Sequence, residues 1–133
     1  MNKLLFLSIF LVVSNAQAKL VDKVVAIIDD QIVTLSEVKR VKRNYQARTM
    51  IASLVYEQKK DSTKDILNSM VKVYVIRKKL AEHGIIIDDE SVDSRVKQIE
   101  KSQGVSRDFL VSYLNQQSLS FKEYFELIKQ MME

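Results

Sequence analysis

The chain has 133 residues and a formal net charge of +4, with no Cys, no Pro, two Gly and one His. Without cysteine there is no disulfide framework, thiolate metal site or cysteine nucleophile. His83 has no second imidazole to share a zinc ion with, and Gly84 and Gly104 stand too far apart to build a phosphate-cradling loop. No catalytic residue, cofactor site or metal site is therefore assigned, and the mild basicity does not by itself name a nucleic-acid partner.

The N-terminus reads Lys3, then LLFLSIFLVV, then SNAQA. One lysine, a short apolar run and small residues at Ala16 and Ala18 fit a secretory leader cut between Ala18 and Lys19. The run is about half the length that spans a bilayer, so no stable membrane anchor is expected. The expected organisation is a leader over residues 1–18 and one exported domain over residues 19–133.

From Val21 the pattern is extended. Val24–Ile28 and Ile32-Val33 are β-branched runs around Asp29-Asp30-Gln31, which predicts a short hairpin. Asp29-Asp30 lacks a third acidic ligand at loop spacing, which argues against a cation site. Thr34-x-x-Glu37 is a capping box and opens a helix expected to run to about Glu57. Val38, Val41, Tyr45, Ala52 and Val55 form its apolar stripe, which Met50, Ile51 and Leu54 widen. Lys39, Arg40, Lys42, Arg43 and Arg48 form the opposite, solvated face. Ser62 or Asp61 caps a second helix that ends at His83 before Gly84. The alternation at Met70–Ile76 suits a strand, but the uninterrupted length between caps favours a helix, apolar nearly all round and so centrally buried. After extended Ile85-Ile86-Ile87, a third helix starts at Asp88-Asp89-Glu90, carries Val92, Val96 and Ile99, and stops at Gly104. Ser106 caps a fourth, with Phe109, Leu110, Tyr113 and Leu114. Ser120-x-x-Glu123 opens a fifth, with Phe121, Tyr124, Phe125, Ile128 and Met131. The fold class is mainly α, a short N-terminal β-hairpin followed by about five helices.

In order, these features resemble the N-terminal chaperone domain of the SurA family, relatives of the periplasmic parvulin-type foldases. The resemblance rests on Val21-Asp22-Lys23-Val24-Val25-Ala26 leading into a Ser-Glu-Val step, and on the helix closing at Gly84 before an Asp-Glu helix start. Gly104-Val105-Ser106 ahead of Phe109 and Leu114, and Ser120 four residues before Tyr124, complete it. In that family parvulin isomerase domains follow, and then a helix that docks back on the N-terminal domain. No residue here matches a parvulin motif, so the resemblance implies no isomerase activity for this sequence. It implies a binding module for unfolded or partly folded exported proteins, outer-membrane proteins foremost, working without ATP. Met50, Ile51, Leu54, Val55 and Tyr56 are the candidate client contacts. An apolar surface left open beside the last helix would bind client or a second copy, giving a homo-oligomer. Two other readings fit the same residues: a fragment or subunit of a parvulin-type isomerase, and an adaptor for one dedicated partner. Val96–Asn115 also has the outline of a DNA-reading helix-turn-helix, but Glu100 stands where that motif wants a small buried residue, and an exported chain does not meet the genome.

Overall fold

The computed structural model describes residues 22–58 and 61–133, so the expected leader and its expected cut site at Ala16, Ala18 and Lys19 lie outside the described residues. Strands β1 (Val24–Ile28) and β2 (Gln31–Thr34) form an antiparallel hairpin that pairs Ala26 with Val33, Ile27 with Ile32 and Ile28 with Gln31. The turn is possible because Asp29 takes φ 53°, a left-handed conformation that Asp tolerates better than most residues.

The capping box at Thr34 forms: the Thr34 side chain accepts from the Glu37 amide, and Glu37 Oε2 accepts from the Thr34 amide at 2.8 Å. The single long helix expected to follow does not. Helix α1 (Leu35–Arg43) breaks at Asn44, and α2 (Tyr45–Ile51) ends six residues short of Glu57, so the described residues form six helices. Both breaks serve burial. Asn44 turns inward, donates to the Ser118 carbonyl at 3.0 Å and accepts from Arg48 Nε at 2.6 Å. Beyond Ala52 the chain folds back, so that the Tyr56 ring meets Tyr45 edge-on at 5.8 Å. On an unbroken helix these two residues would lie about 16 Å apart along the axis.

Helix α3 (Thr63–Glu82) has its N-cap at Ser62 and its C-cap at His83, and Gly84 follows at φ 69°. Its helical nature is as expected, but its central burial is not: Ile66 is its one fully buried residue, because α1 packs along one side of it and the hairpin turn meets it at Tyr74 and Lys78. Helix α4 (Asp89–Gln103) is capped by the Asp88 carboxylate and closed by left-handed Gly104. Helix α5 (Arg107–Gln116) starts at Ser106, buries Leu114 and leaves Phe109 and Tyr113 to solvent. Glu100 pairs with Arg107, whose guanidinium lies 4.7 Å from the Phe121 ring centre, so an ion pair and a cation–π contact tie α4, α5 and the final helix together. Ser118 takes φ 56° and delivers Leu119 into the core.

Helix α6 (Phe121–Met132) opens on the second capping box, at Ser120. It packs against α4, α5 and α2, burying Tyr124, Leu127 and Ile128. The helix expected beside an open surface is thus packed against three others. Val33, Val38, Val41, Tyr45, Ala52, Val55, Tyr56, Val92, Val96, Leu114 and Leu119 complete one continuous core.

Candidate functional site

The residues left over by this packing define a site. On α3, Met70, Val73, Tyr74, Arg77, Lys78 and Ala81 share one helical face, and they face the hairpin across a groove of about 600 Å³. The opposite wall is Ile28, Asp30 and three successive residues of β2, Gln31, Ile32 and Val33, so the groove runs along that strand. Tyr56 and Glu37 line it from the α1–α2 side.

Each charged group of the groove already has a partner. At the hairpin turn, Lys78 Nζ reaches Asp29 Oδ2 at 2.5 Å, and the Tyr74 hydroxyl donates to Asp30 at 3.0 Å and to Asp29 at 3.3 Å. Hydrogen bonding and charge from Lys78 hold the Asp29 carboxyl below the usual aspartate range, and Asp29 raises Lys78 in return. Burial, with the carboxylates of Asp30 and Asp29, pushes the Tyr74 phenol up. The Asp29-Asp30 turn is thus a strut onto α3 whose counter-ion is an ammonium group. At the other side, Arg77 Nε donates to Glu133 at 2.8 Å and its Nη2 to Glu126 at 3.2 Å. Burial alone would lower the Arg77 pKa, but the two glutamates outweigh it. Glu37 is occupied by its cap. With these groups partnered, the apolar lining is Ile28, Ile32, Met70 and Val73, backed by the core residue Val33, a strip that can hold an apolar chain by contact.

The expected client contacts are not brought together. Val55 and Tyr56 are core residues, Ile51 packs against the core, and Met50 and Leu54 are 70% and 71% exposed. Of the five, Tyr56 alone lines the groove. The α3 wall of the groove begins within Met70–Ile76, whose apolar pattern predicts burial where the structure has a half-covered face.

A second cluster corrects the basic face. Arg48 is 5% exposed rather than solvated, donates to Glu123 Oε1 at 2.7 Å and to the Tyr56 hydroxyl at 3.4 Å, and lies 5.6 Å from the Tyr56 ring centre. Burial pushes the Glu123 carboxyl up, but hydrogen bonds from Ser120, the charge of Arg48 and the Asn44 amide together hold it below the usual glutamate range. This pair clamps α2 to α6 and, through them, the side of the fold away from the hairpin.

Among the described residues no helix is long and apolar enough to cross a membrane. No solved structure matches the chain. Curated relatives named Chaperone SurA do: those from Legionella pneumophila strains Lens and Philadelphia 1 are each 24% identical over 114 residues, and that from strain Paris is 23% identical. The aligned stretch is 86% of this chain and 27% of each relative, so the chain spans about a quarter of their length. The SurA N-terminal domain model matches residues 21–133, and the chain belongs to that family.

Proposed function

We propose that this protein is an ATP-independent chaperone module of the periplasm that holds unfolded exported proteins, outer-membrane proteins foremost, in the groove between the hairpin and α3. The observation that carries the reading is the α3 face itself: apolar side chains at helical spacing, half covered, with the neighbouring charged groups already partnered. Such a lining suits extended segments of varied sequence, since apolar contact is non-directional and Met70 adapts its shape. The run of β2 along the groove supports a further source of affinity, main-chain hydrogen bonds from an extended client to the strand edge. Binding needs no chemical step and no nucleotide.

The test places one charge on either face of the same helix. Val73→Asp puts a carboxylate into the groove, whereas Val75→Asp puts it on a side chain that is already 46% exposed and does not line it. Each variant is mixed with an unfolded outer-membrane protein, and aggregation is followed by light scattering. The parent and Val75→Asp delay aggregation and Val73→Asp does not; equal activity of all three rejects the groove.

A further inference from the structure

The whole formal charge of the chain sits on one stretch. Residues 35–56 carry five cations, Lys39, Arg40, Lys42, Arg43 and Arg48, against one carboxylate, Glu37, a surplus equal to the net +4 of the entire sequence. Two of the five are consumed internally, since Glu123 holds Arg48 at 2.7 Å and Arg40 at 3.7 Å. Lys39, Lys42 and Arg43 are exposed and make no ion pair with another described residue. Lys42 and Arg43 share a shallow depression with Met50, with Asp61 the one acid on its lining. Arg43 joins it to a second depression lined by Lys39, with Asp22 and the cap residue Glu37 as its acids. Leu54, as exposed as Met50, lies in the turn that follows α2, where Lys72 Nζ donates to its carbonyl at 2.9 Å.

Unpaired cations ending in two protruding apolar side chains describe an interfacial surface. Solvation alone satisfies the cations and leaves Met50 and Leu54 in water. An acidic polypeptide would match the charges and also leave them there. A bilayer of anionic lipid satisfies both, with phosphates over the cations and the acyl boundary around the apolar pair. We infer that the Lys39–Lys42–Arg43 face with Met50 and Leu54 docks the protein reversibly on anionic phospholipid. None of these residues lines the hairpin–α3 groove, so a docked module keeps its groove free to take up client.

The experiment is co-sedimentation of the protein, as recovered from the exported fraction, with vesicles of equimolar phosphatidylcholine and phosphatidylglycerol. Every variant carries the same N-terminus, so differences among them report this face. The triple change Lys39→Gln, Lys42→Gln and Arg43→Gln weakens binding on the order of a hundredfold at low ionic strength, and the double change Met50→Ser, Leu54→Ser weakens it roughly tenfold. Added salt releases the parent. All five side chains are exposed, and circular dichroism confirms the fold of each variant. Sedimentation of either folded variant set as strongly as the parent overturns the inference, as does binding indifferent to salt. Displacement of the parent by polyglutamate, with the Met50/Leu54 variant unimpaired on vesicles, assigns the face to acidic polypeptide and overturns it too. Loss of vesicle binding by the triple variant, with its anti-aggregation activity intact, separates this surface from the groove.

Discussion

Helix α6 packs against α4, α5 and α2, and Tyr124, Leu127 and Ile128 disappear from solvent along one face. Helix α3, eight residues longer, is apolar on several faces and buries Ile66 alone. The amphipathic α6 is finished by its neighbours; α3, whose apolar residues are spread over several faces, is not, because α1 packs along one side of it and the hairpin turn meets it at Tyr74 and Lys78. In a soluble domain a helix of the second kind is either central to a larger core or a surface built to be covered intermittently. Here the charges beside it are arranged accordingly. Around α6 the ions are drawn inward, Glu123 onto Arg48; around α3 they brace the walls of the groove, Lys78 and Tyr74 onto the hairpin turn.

The largest expected effect tests that asymmetry directly. Leu127→Ala removes a fully buried side chain and leaves a cavity, and it should destabilise the fold by about 3 kcal/mol. Val75→Ala on the far side of α3 should change stability by less than about 0.5 kcal/mol. Urea unfolding of both variants provides the comparison. A comparable loss from Val75→Ala would mean that the outer face of α3 is covered in solution.

Next in size is the clamp. Glu123→Gln leaves the Arg48 guanidinium, almost wholly buried, without its anion, and breaking such a pair costs about 3 kcal/mol at most. The pH dependence follows from the direction of the shift. The folded carboxyl titrates below its unfolded value, so its contribution is complete above the usual glutamate range and is lost as pH falls through the lower, folded value. The urea midpoint of the parent should therefore fall more steeply on acidification than that of the Gln variant. Parallel curves would show that Glu123 does not titrate against Arg48.

How much of this was legible follows from the range of each interaction. The two capping boxes, the Ser62, Asp88 and Ser106 caps and the left-handed glycines involve residues three or four apart, and the sequence pattern placed them correctly. Arg48 was misplaced although periodicity marked it: Val41, Tyr45, Arg48 and Ala52 are successive positions on one stripe, and the charge of Arg48 argued against a spacing that was right. Its partner Glu123 lies 75 residues away, with no local trace. Asn44 breaks a helix for the sake of the Ser118 carbonyl, 74 residues on, and no glycine or proline announces it. The groove is of the same kind. Its walls come from residues 28–33 and 70–81, and how far α3 is covered depends on neighbours that helical periodicity does not describe.

The smallest effect is the most discriminating. Asp29→Asn keeps a residue that tolerates φ 53° and removes the anion facing Lys78, so the turn survives and the strut onto α3 weakens. Both partners are half exposed, and solvent-exposed pairs contribute little to global unfolding, so the urea midpoint should hardly move. Local opening is the sensitive readout. Hydrogen exchange at the hairpin amides should quicken, while the α6 amides keep the rate of the parent. Because Lys78 holds the Asp29 carboxyl below its usual range, the parent should release its hairpin only under acid, as pH falls through that lowered value, whereas the Asn variant is released at every pH. Equal acceleration in α6 would mean that the hairpin and α3 do not open as a unit of their own. Acceleration confined to the hairpin would identify the groove wall as the part of the fold free to move when a chain enters.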